Sequence, residues 1–278
     1  MGHAGDYDRP MPGASGTPRV SVLIGCWNNA ETLPRAIESI LAQTVEDMEL
    51  IVIDDGSTDS TPEIVTGIAD SRLRYLQLDH MGISKSLNRG IAEAVSPVIA
   101  VQDADDWSLP ERLERELSVL DRWPEVSVVG ARMREVDGSG RELRPRTAFT
   151  AGEVNEALMR FNPIPNSCAA FRRDVALSLG GYDERYRYAM DHDLWLRIAD
   201  AHGVFALDEV LAVRRMSGSN VAARAERDQI RETLAIRVAT LRRRRTLAGA
   251  TGLIIPVVSC LTPIPLKRAR RRRLGQAP

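Results

Sequence analysis

Two rhythms of apolar and polar positions alternate along the first hundred residues. Arg19 to Ile24, Glu49 to Asp54, Leu73 to Leu78 and Pro97 to Val101 are short runs rich in Val, Ile and Leu, which predict buried strands. Between them the period changes to that of a helix. Leu33, Ile37, Ile40 and Leu41 mark one over Glu31 to Gln43, and Pro62 sits in the first turn of another over Thr61 to Ala69. Ile83, Leu87, Ile91 and Ala94 mark a third over Ile83 to Val95. Strands alternating with helices predict an α/β fold with a mostly parallel central sheet covered on both faces, and such sheets bind ligands beyond the carboxyl ends of their strands. The conspicuous polar residues fall there: Trp27 and Asn28, Asp54 and Asp55, Asp103 and Asp105.

The second half is less regular. Leu109 to Leu120, studded with Glu and Arg at helical spacing, predicts a solvated surface helix. Glu125 to Gly130 reads as a strand, Asp137 to Gly140 as a hairpin turn, and Cys168 to Phe171 as a short strand. Val175 to Leu179 begins a helix that Gly180 and Gly181 stop. Leu194, Trp195, Ile198 and Ala199 predict an inward-packing helix, with Asp191 and His192 at its N-terminal end. There the helix dipole favours an ionised carboxylate, which suits an ordinary cap and a general base equally. His192 by itself reads as a surface residue.

Charge changes this picture at one end. The 278 residues carry a formal net charge of −1, but ten of the 37 basic residues and none of the 38 acidic ones follow Leu241, so residues 1–241 carry −11. An acidic body excludes the positive face that a phosphate backbone requires, so no nucleic-acid partner is expected. Three scattered cysteines, Cys26, Cys168 and Cys260, offer neither a disulfide framework nor zinc spacing, and a reducing, cytoplasmic setting is the default. Residues 1–18 have no apolar core and read as a flexible leader.

Asp103, Asp105 and Asp106 crowd one turn after the fourth strand. Such clustering is costly unless a cation offsets the repulsion, and hard divalent ions take carboxylate ligands while leaving positions for phosphate oxygens. A solvated acidic turn capping the next helix is the plain alternative. The chain has neither a Gly-x-Gly-x-x-Gly after the first strand nor a Gly-Lys-Ser/Thr loop, which argues against dinucleotide and P-loop chemistry. An Asp at a strand end can still accept a hydrogen bond from a base or ribose, and Trp27 can cover a base face.

Several stretches, in order, carry a resemblance: Val-Ser-Val-Leu-Ile-Gly-Cys-Trp-Asn (20–28), Ile-Asp-Asp-Gly-Ser-Thr-Asp (53–59), Leu-Asn-Arg-Gly-Ile (87–91), Asp-Ala-Asp-Asp (103–106), Gly-Gly-Tyr-Asp-Glu (180–184) and Asp-His-Asp-Leu-Trp-Leu-Arg (191–197). Together with Ser-Ile-Leu-Ala-Gln (39–43) they resemble family 2 glycosyltransferases of the GT-A fold over residues 19–222, with 223–278 as a C-terminal helix and an apolar, basic-flanked tail. The resemblance implies an inverting transfer of one sugar from a nucleotide-sugar, UDP-linked by family frequency, to a hydroxyl of a glycan or lipid-linked acceptor. By position, Cys26, Trp27, Glu31 and Asp55 correspond to the nucleoside pocket, and Lys85 and Asn88 to the donor pocket. Asp103 and Asp105 correspond to the DxD pair, Asp105 as principal ligand of Mg²⁺ or Mn²⁺, and Asp191 corresponds to the catalytic base.

Three departures stand out. Met190 replaces the Glu that commonly precedes the base, Met216 stands where relatives often carry a histidine, and Gly25 replaces a Pro. Arg214 or Arg215 could supply positive charge to the diphosphate instead. A weakly catalytic sugar-nucleotide or glycan binding module and a sugar nucleotidyltransferase therefore stay open as alternatives. Arg122-Trp123 lacks the upstream Gln and the position of a processive Gln-x-x-Arg-Trp motif, which favours single-sugar transfer. Leu247 to Leu266 has no charge, contains Pro256, Pro263 and Pro265, and lies between basic runs. Residues 242–273 thus read as a peripheral contact with the inner face of the plasma membrane, or as a packing segment.

Overall fold

The structure is a computed structural model that describes residues 16–143, 151–216 and 226–245. The leader up to residue 15 and the apolar tail after 245 lie outside them. Strand β1 (Val20–Cys26) leads to α1 (Leu33–Leu41), β2 (Met48–Asp54) to α2 (Thr61–Thr66), and β3 (Leu73–Gln77) to α3 (Ile83–Glu93). Then come β4 (Val98–Asp103), the short β5 (Trp107–Ser108), α4 (Arg112–Arg122), the long β6 (Val126–Asp137) and β7 (Gly152–Glu153). After two 3₁₀ turns, β8 (Ala169–Arg172), α5 (Arg173–Ser178), α6 (Met190–Ile198), β9 (Gly203–Met216) and α7 (Glu226–Arg244) complete the described chain.

The strand order is β3-β2-β1-β4-β8-β6-β9-β5, with β7 beside β9. β1 pairs in parallel with β2 and β4, and β2 with β3, as the alternation of elements requires. β8 runs against β4 and β6, so β6 and β9, which are parallel to each other, run the same way as β1. All seven residues of β1 and of β2 are buried, because helices cover both faces of the sheet. Val20, Val22 and Ile24 face a core shared with α1 and α4, whereas Leu23 faces a second core shared with α3, α5 and α6. That alternation is the two-residue period of a strand.

Cys26 belongs to the same parity as Val20 and lies in the first core, 3% exposed. Its thiol donates to the Ile53 carbonyl at 3.6 Å, and burial pushes its pKa upward. Its side chain thus faces the core, and Cys26 presents its backbone at the strand end, where its carbonyl accepts from Asp55 N–H at 2.9 Å.

The expected surface helix is corrected. Arg112 and Glu116 of α4 are wholly buried and paired at 3.0 Å. Arg112 donates further to the carbonyls of Val101 and Ala169 and to Ser108 Oγ, at 2.8, 3.3 and 3.0 Å, and so fastens α4 beneath the end of β4. A buried ion pair survives where extra hydrogen bonds of this kind complete it. The hairpin turn at Asp137 to Gly140 forms as expected: Asp137 Oδ1 accepts from Ser139 and Arg141 N–H, and Val136 bridges Glu142. β6, however, runs seven residues past Gly130, where the pattern alone had ended it.

Candidate active site

The site is assembled at the carboxyl ends of β1, β2 and β4, where the parallel topology gathers the strand-end loops. The loop after β1 and the loop after β2 clasp each other. Asn28, in the left-handed region at φ 54°, accepts from Thr58 N–H at 2.8 Å, and its own N–H reaches Ser57 Oγ at 2.9 Å. This clasp presents Trp27, which is 47% exposed and stacks on His80. Asp55 is buried beside it. Its Oδ1 accepts from Met81 N–H at 2.8 Å and Ser86 Oγ at 2.7 Å, and its Oδ2 from Gly82 N–H at 2.9 Å. The carboxylate thereby caps α3, whose N-cap residue Gly82 (φ 96°) has no side chain for the task.

The acidic turn divides into separate roles. Asp106, 3% exposed, is turned toward β9, accepting from Arg215 N–H at 3.1 Å with Arg214 Nε 3.8 Å away. It is thus committed to the protein. Asp103 and Asp105 keep partial exposure. Burial raises the pKa of both, Asp105 to about 6 with the Asp103 charge as the second cause, while Arg214 pulls each back. A pair of hard carboxylate oxygens under this strain is the donor set that a small divalent cation fits, and its charge would relieve the repulsion. Among the described residues no third His, Cys, Asp or Glu joins them as a ligand cluster.

Asp191 is the second residue of α6 rather than its cap. It accepts from His192 N–H at 2.7 Å and from Asn162 Nδ2 at 2.9 Å. The helix dipole favours an ionised carboxylate here. Burial outweighs it and raises the pKa to about 6, with the charge of Asp103 adding to the rise and that of Arg214 opposing it. Asp103 and Asp191 therefore sit in each other's field although 88 positions separate them. One loop reaches both: Asn162 Nδ2 donates to Asp191, and Asn166, which accepts from the Tyr182 hydroxyl at 2.8 Å, reaches Asp103 Oδ1 with its Nδ2 at 3.5 Å.

Other residues take places that spacing could not reveal. His192 is buried, not on the surface; it donates to the Leu158 carbonyl at 2.7 Å, and burial lowers its pKa to about 4. Met190 accepts from Ser84 Oγ at 3.0 Å, tying α6 to α3. Asn88 spends its amide on both backbone groups of Tyr182, at 2.8 and 2.9 Å, so it holds the Gly180–Tyr182 turn. Lys85 lies exposed on α3. Glu31 is paired with Arg215 at 2.9 Å and lines a cavity of about 390 Å³ with Arg35, Asp105, Trp107 and the 137–140 turn. The guanidinium of Arg35 lies 3.3 Å over the Trp107 ring.

A distant element completes the helix that carries Asp191. Glu232 of α7 accepts from the N–H groups of Arg187, Tyr188 and Ala189 at 3.0, 2.8 and 3.0 Å, fastening the segment that leads into α6. At the other end, Arg243 and Arg244 grip Asp200 at 2.5 and 2.6 Å. Two of the charges expected to face a membrane are thus engaged within the protein. No helix among the described residues is long and apolar enough to cross a membrane. Asn162, Asn166 and Glu232 were not singled out from the sequence, where polar residues in a loop or on a charged helix carry no distinguishing pattern.

A mostly parallel, doubly covered sheet with a DxD turn at its central strand end defines a GT-A-type fold. The Glycosyl transferase family 2 model matches residues 21–180, and the chain belongs to that family; it is a glycosyltransferase. It is 30% identical over 252 residues to the amylovoran biosynthesis glycosyltransferase AmsE of Erwinia amylovora, covering 88% of this chain and 94% of that protein. With the putative glycosyltransferase EpsE of Bacillus subtilis (strain 168) it shares 35% identity over 188 residues, 65% of this chain and 66% of the relative. Among solved structures, S. aureus TarS 1-349 in complex with UDP-GlcNAc superposes with a TM-score of 0.65 at 19% identity, over 80% of this chain and 66% of that one. The mannosyltransferase PcManGT from Pyrobaculum calidifontis, in complex with GDP-Man and Mn²⁺, superposes with a TM-score of 0.63 at 18% identity, over 96% and 84%. These two likenesses are of fold.

Proposed function

We propose that the chain transfers one sugar from a nucleotide-sugar to a hydroxyl of a glycan or lipid-linked acceptor, inverting the anomeric centre. The observation that carries this is that one loop reaches a strand-end carboxylate and a helix carboxylate together, Asn162 Nδ2 donating to Asp191 at 2.9 Å and Asn166 Nδ2 lying 3.5 Å from Asp103 Oδ1. Trp27 and Asp55 serve the nucleoside, and Asp103 and Asp105 face the diphosphate. They would hold Mg²⁺ or Mn²⁺ there, a cation that offsets the charge of the departing diphosphate when bound. Arg214 adds positive charge on the same side, in the place of the histidine that Met216 replaces. Asp191 takes the acceptor's hydroxyl proton as that oxygen attacks C1 from the face opposite the diphosphate. The C1–O bond to the diphosphate breaks, and its electron pair leaves with the diphosphate. Asn162 and the His192 N–H fix the carboxylate for that attack.

AmsE is named for amylovoran biosynthesis, and a related protein, ExoO of Rhizobium meliloti, for succinoglycan biosynthesis. That points to an exopolysaccharide or its lipid-linked precursor as acceptor, assembled at the cytoplasmic face of the membrane. The test is release of nucleoside diphosphate from a panel of UDP- and GDP-sugars in Mn²⁺. Turnover abolished by EDTA, by Asp105→Ala and by Asp191→Asn supports the proposal. Calorimetric binding without turnover across donors and acceptors would identify a binding module instead.

A further inference from the structure

The residues assigned to the nucleoside already hold a ring. The imidazole of His80 stacks on Trp27 with centroids 4.7 Å apart and planes 28° from parallel. Its Nδ1 donates to the Asp55 carbonyl oxygen at 3.0 Å and lies 2.9 Å from Asp55 Oδ2. A nucleobase asks a protein for the same two things, an aromatic face and an acceptor for a ring N–H. We infer that His80 is a built-in occupant of the nucleobase seat, which the donor must displace, and that this residue thereby sets donor affinity. The inference rests on the assignment of Trp27 and Asp55 to the nucleoside.

The surroundings favour displacement of the side chain alone. Met81 N–H, Gly82 N–H and Ser86 Oγ hold the Asp55 carboxylate without help from His80. Among the described residues Oδ2 has only the Gly82 N–H as a hydrogen-bond partner, and His80 Nδ1 stands 2.9 Å from it, so a base reaches that oxygen only when the imidazole leaves. The His80 side chain is 54% exposed and that of Asp55 5%, a loose ring on a fixed acceptor. The backbone has no such freedom: the His80 nitrogen would lie 2.9 Å from a Cβ on Gly56, so the loop packs directly against the β2 turn. A base cannot slip between the two rings as they stand. Intercalation needs roughly 7 Å, twice an ordinary ring contact.

The experiment is calorimetric titration of UDP and of GDP, each with Mn²⁺, into the full chain and its His80→Ala, His80→Phe and Trp27→Ala variants, each first shown to melt cooperatively. His80→Ala is expected to bind the accepted nucleotide about tenfold more tightly, the gain from removing one stacked, hydrogen-bonded competitor. Donor KM should fall by the same factor with kcat unchanged. His80→Phe keeps a ring over Trp27 but gives Asp55 no N–H, and should gain less. Unchanged or weaker binding in His80→Ala overturns the inference, and loss of binding in Trp27→Ala would then leave the nucleoside assignment standing. If neither nucleotide binds, or if both alanine variants bind as the wild type does, the assignment fails and the inference with it.

Discussion

Asp191→Asn should yield a protein that is inactive yet more stable at neutral pH. Burial raises the Asp191 carboxyl from 3.8 to about 6, and at 1.36 kcal/mol per pH unit the ionised native state is disfavoured by about 3 kcal/mol. Partial exposure of the carboxylate reduces this to about 2 kcal/mol. Below pH 4 the group is protonated in both native and unfolded chains, so the variant gains nothing there. Between pH 4 and 6 the native state keeps a proton that the unfolded state releases, and the wild type loses stability as pH rises. Above pH 6 both states are ionised and the deficit is constant. Asparagine is neutral throughout, and its carbonyl can still accept from His192 N–H.

Urea unfolding at pH 7.5 should therefore show the variant about 2 kcal/mol more stable, worth several degrees in Tm, with the difference vanishing near pH 4. His192, whose pKa burial lowers to about 4, is common to both proteins and cancels in the difference. The activity limb follows from the same number: kcat/KM of the wild type should fall tenfold per unit below about pH 6, as the base takes up its proton. Equal or lower stability of the variant at pH 7.5 would refute the claim that this carboxylate is held ionised against its surroundings.

Gly90→Ala should destabilise the protein although it raises helix propensity by about 1 kcal/mol, because the new Cβ would lie 2.4 Å from Ile53 Cδ1 and 3.2 Å from Leu23 Cδ1. A loss of about 1–3 kcal/mol in urea unfolding is expected, and a gain would show that α3 does not pack this closely on the sheet. Glu232→Ala should cost about 1–3 kcal/mol by leaving the N–H groups of Arg187, Tyr188 and Ala189 without their acceptor. It should lower kcat more than it raises donor KM, and Glu232→Gln, which keeps one oxygen, should recover part of both.

The elements were legible because local pattern decides them. The apolar runs ending at Ile24, Asp54 and Val101 became β1, β2 and β4 with ends displaced by three residues or fewer, and the glycines after Leu179 stop α5 at φ 81° and 68°. The burial of the Cys26 side chain came from the structure, where β1 runs two residues past Ile24 and keeps the parity of Val20, Val22 and Ile24. Arg112 and Glu116 were not legible, because an i, i+4 charge pair has the same spacing whether water or β4 lies against it. His192 was lost for the same reason: burial depends on the 3₁₀ turn at Leu158, which touches it only in the folded chain.

Alternating periods thus determined, from sequence alone, a mostly parallel sheet covered on both faces, and seven motifs in order carried the resemblance to the family. Only the tertiary structure decided which of Asp103, Asp105 and Asp106 remain open, and that Asp191 lies in the field of Asp103. It likewise decided that His80 lies on Trp27 and that Glu232 holds the segment leading into α6. Periodicity reports what a residue's near neighbours in the chain impose on it. The charge state and occupancy of a site depend on desolvation and on partners brought from distant positions, and those arise only when the sheet and its helices close around it.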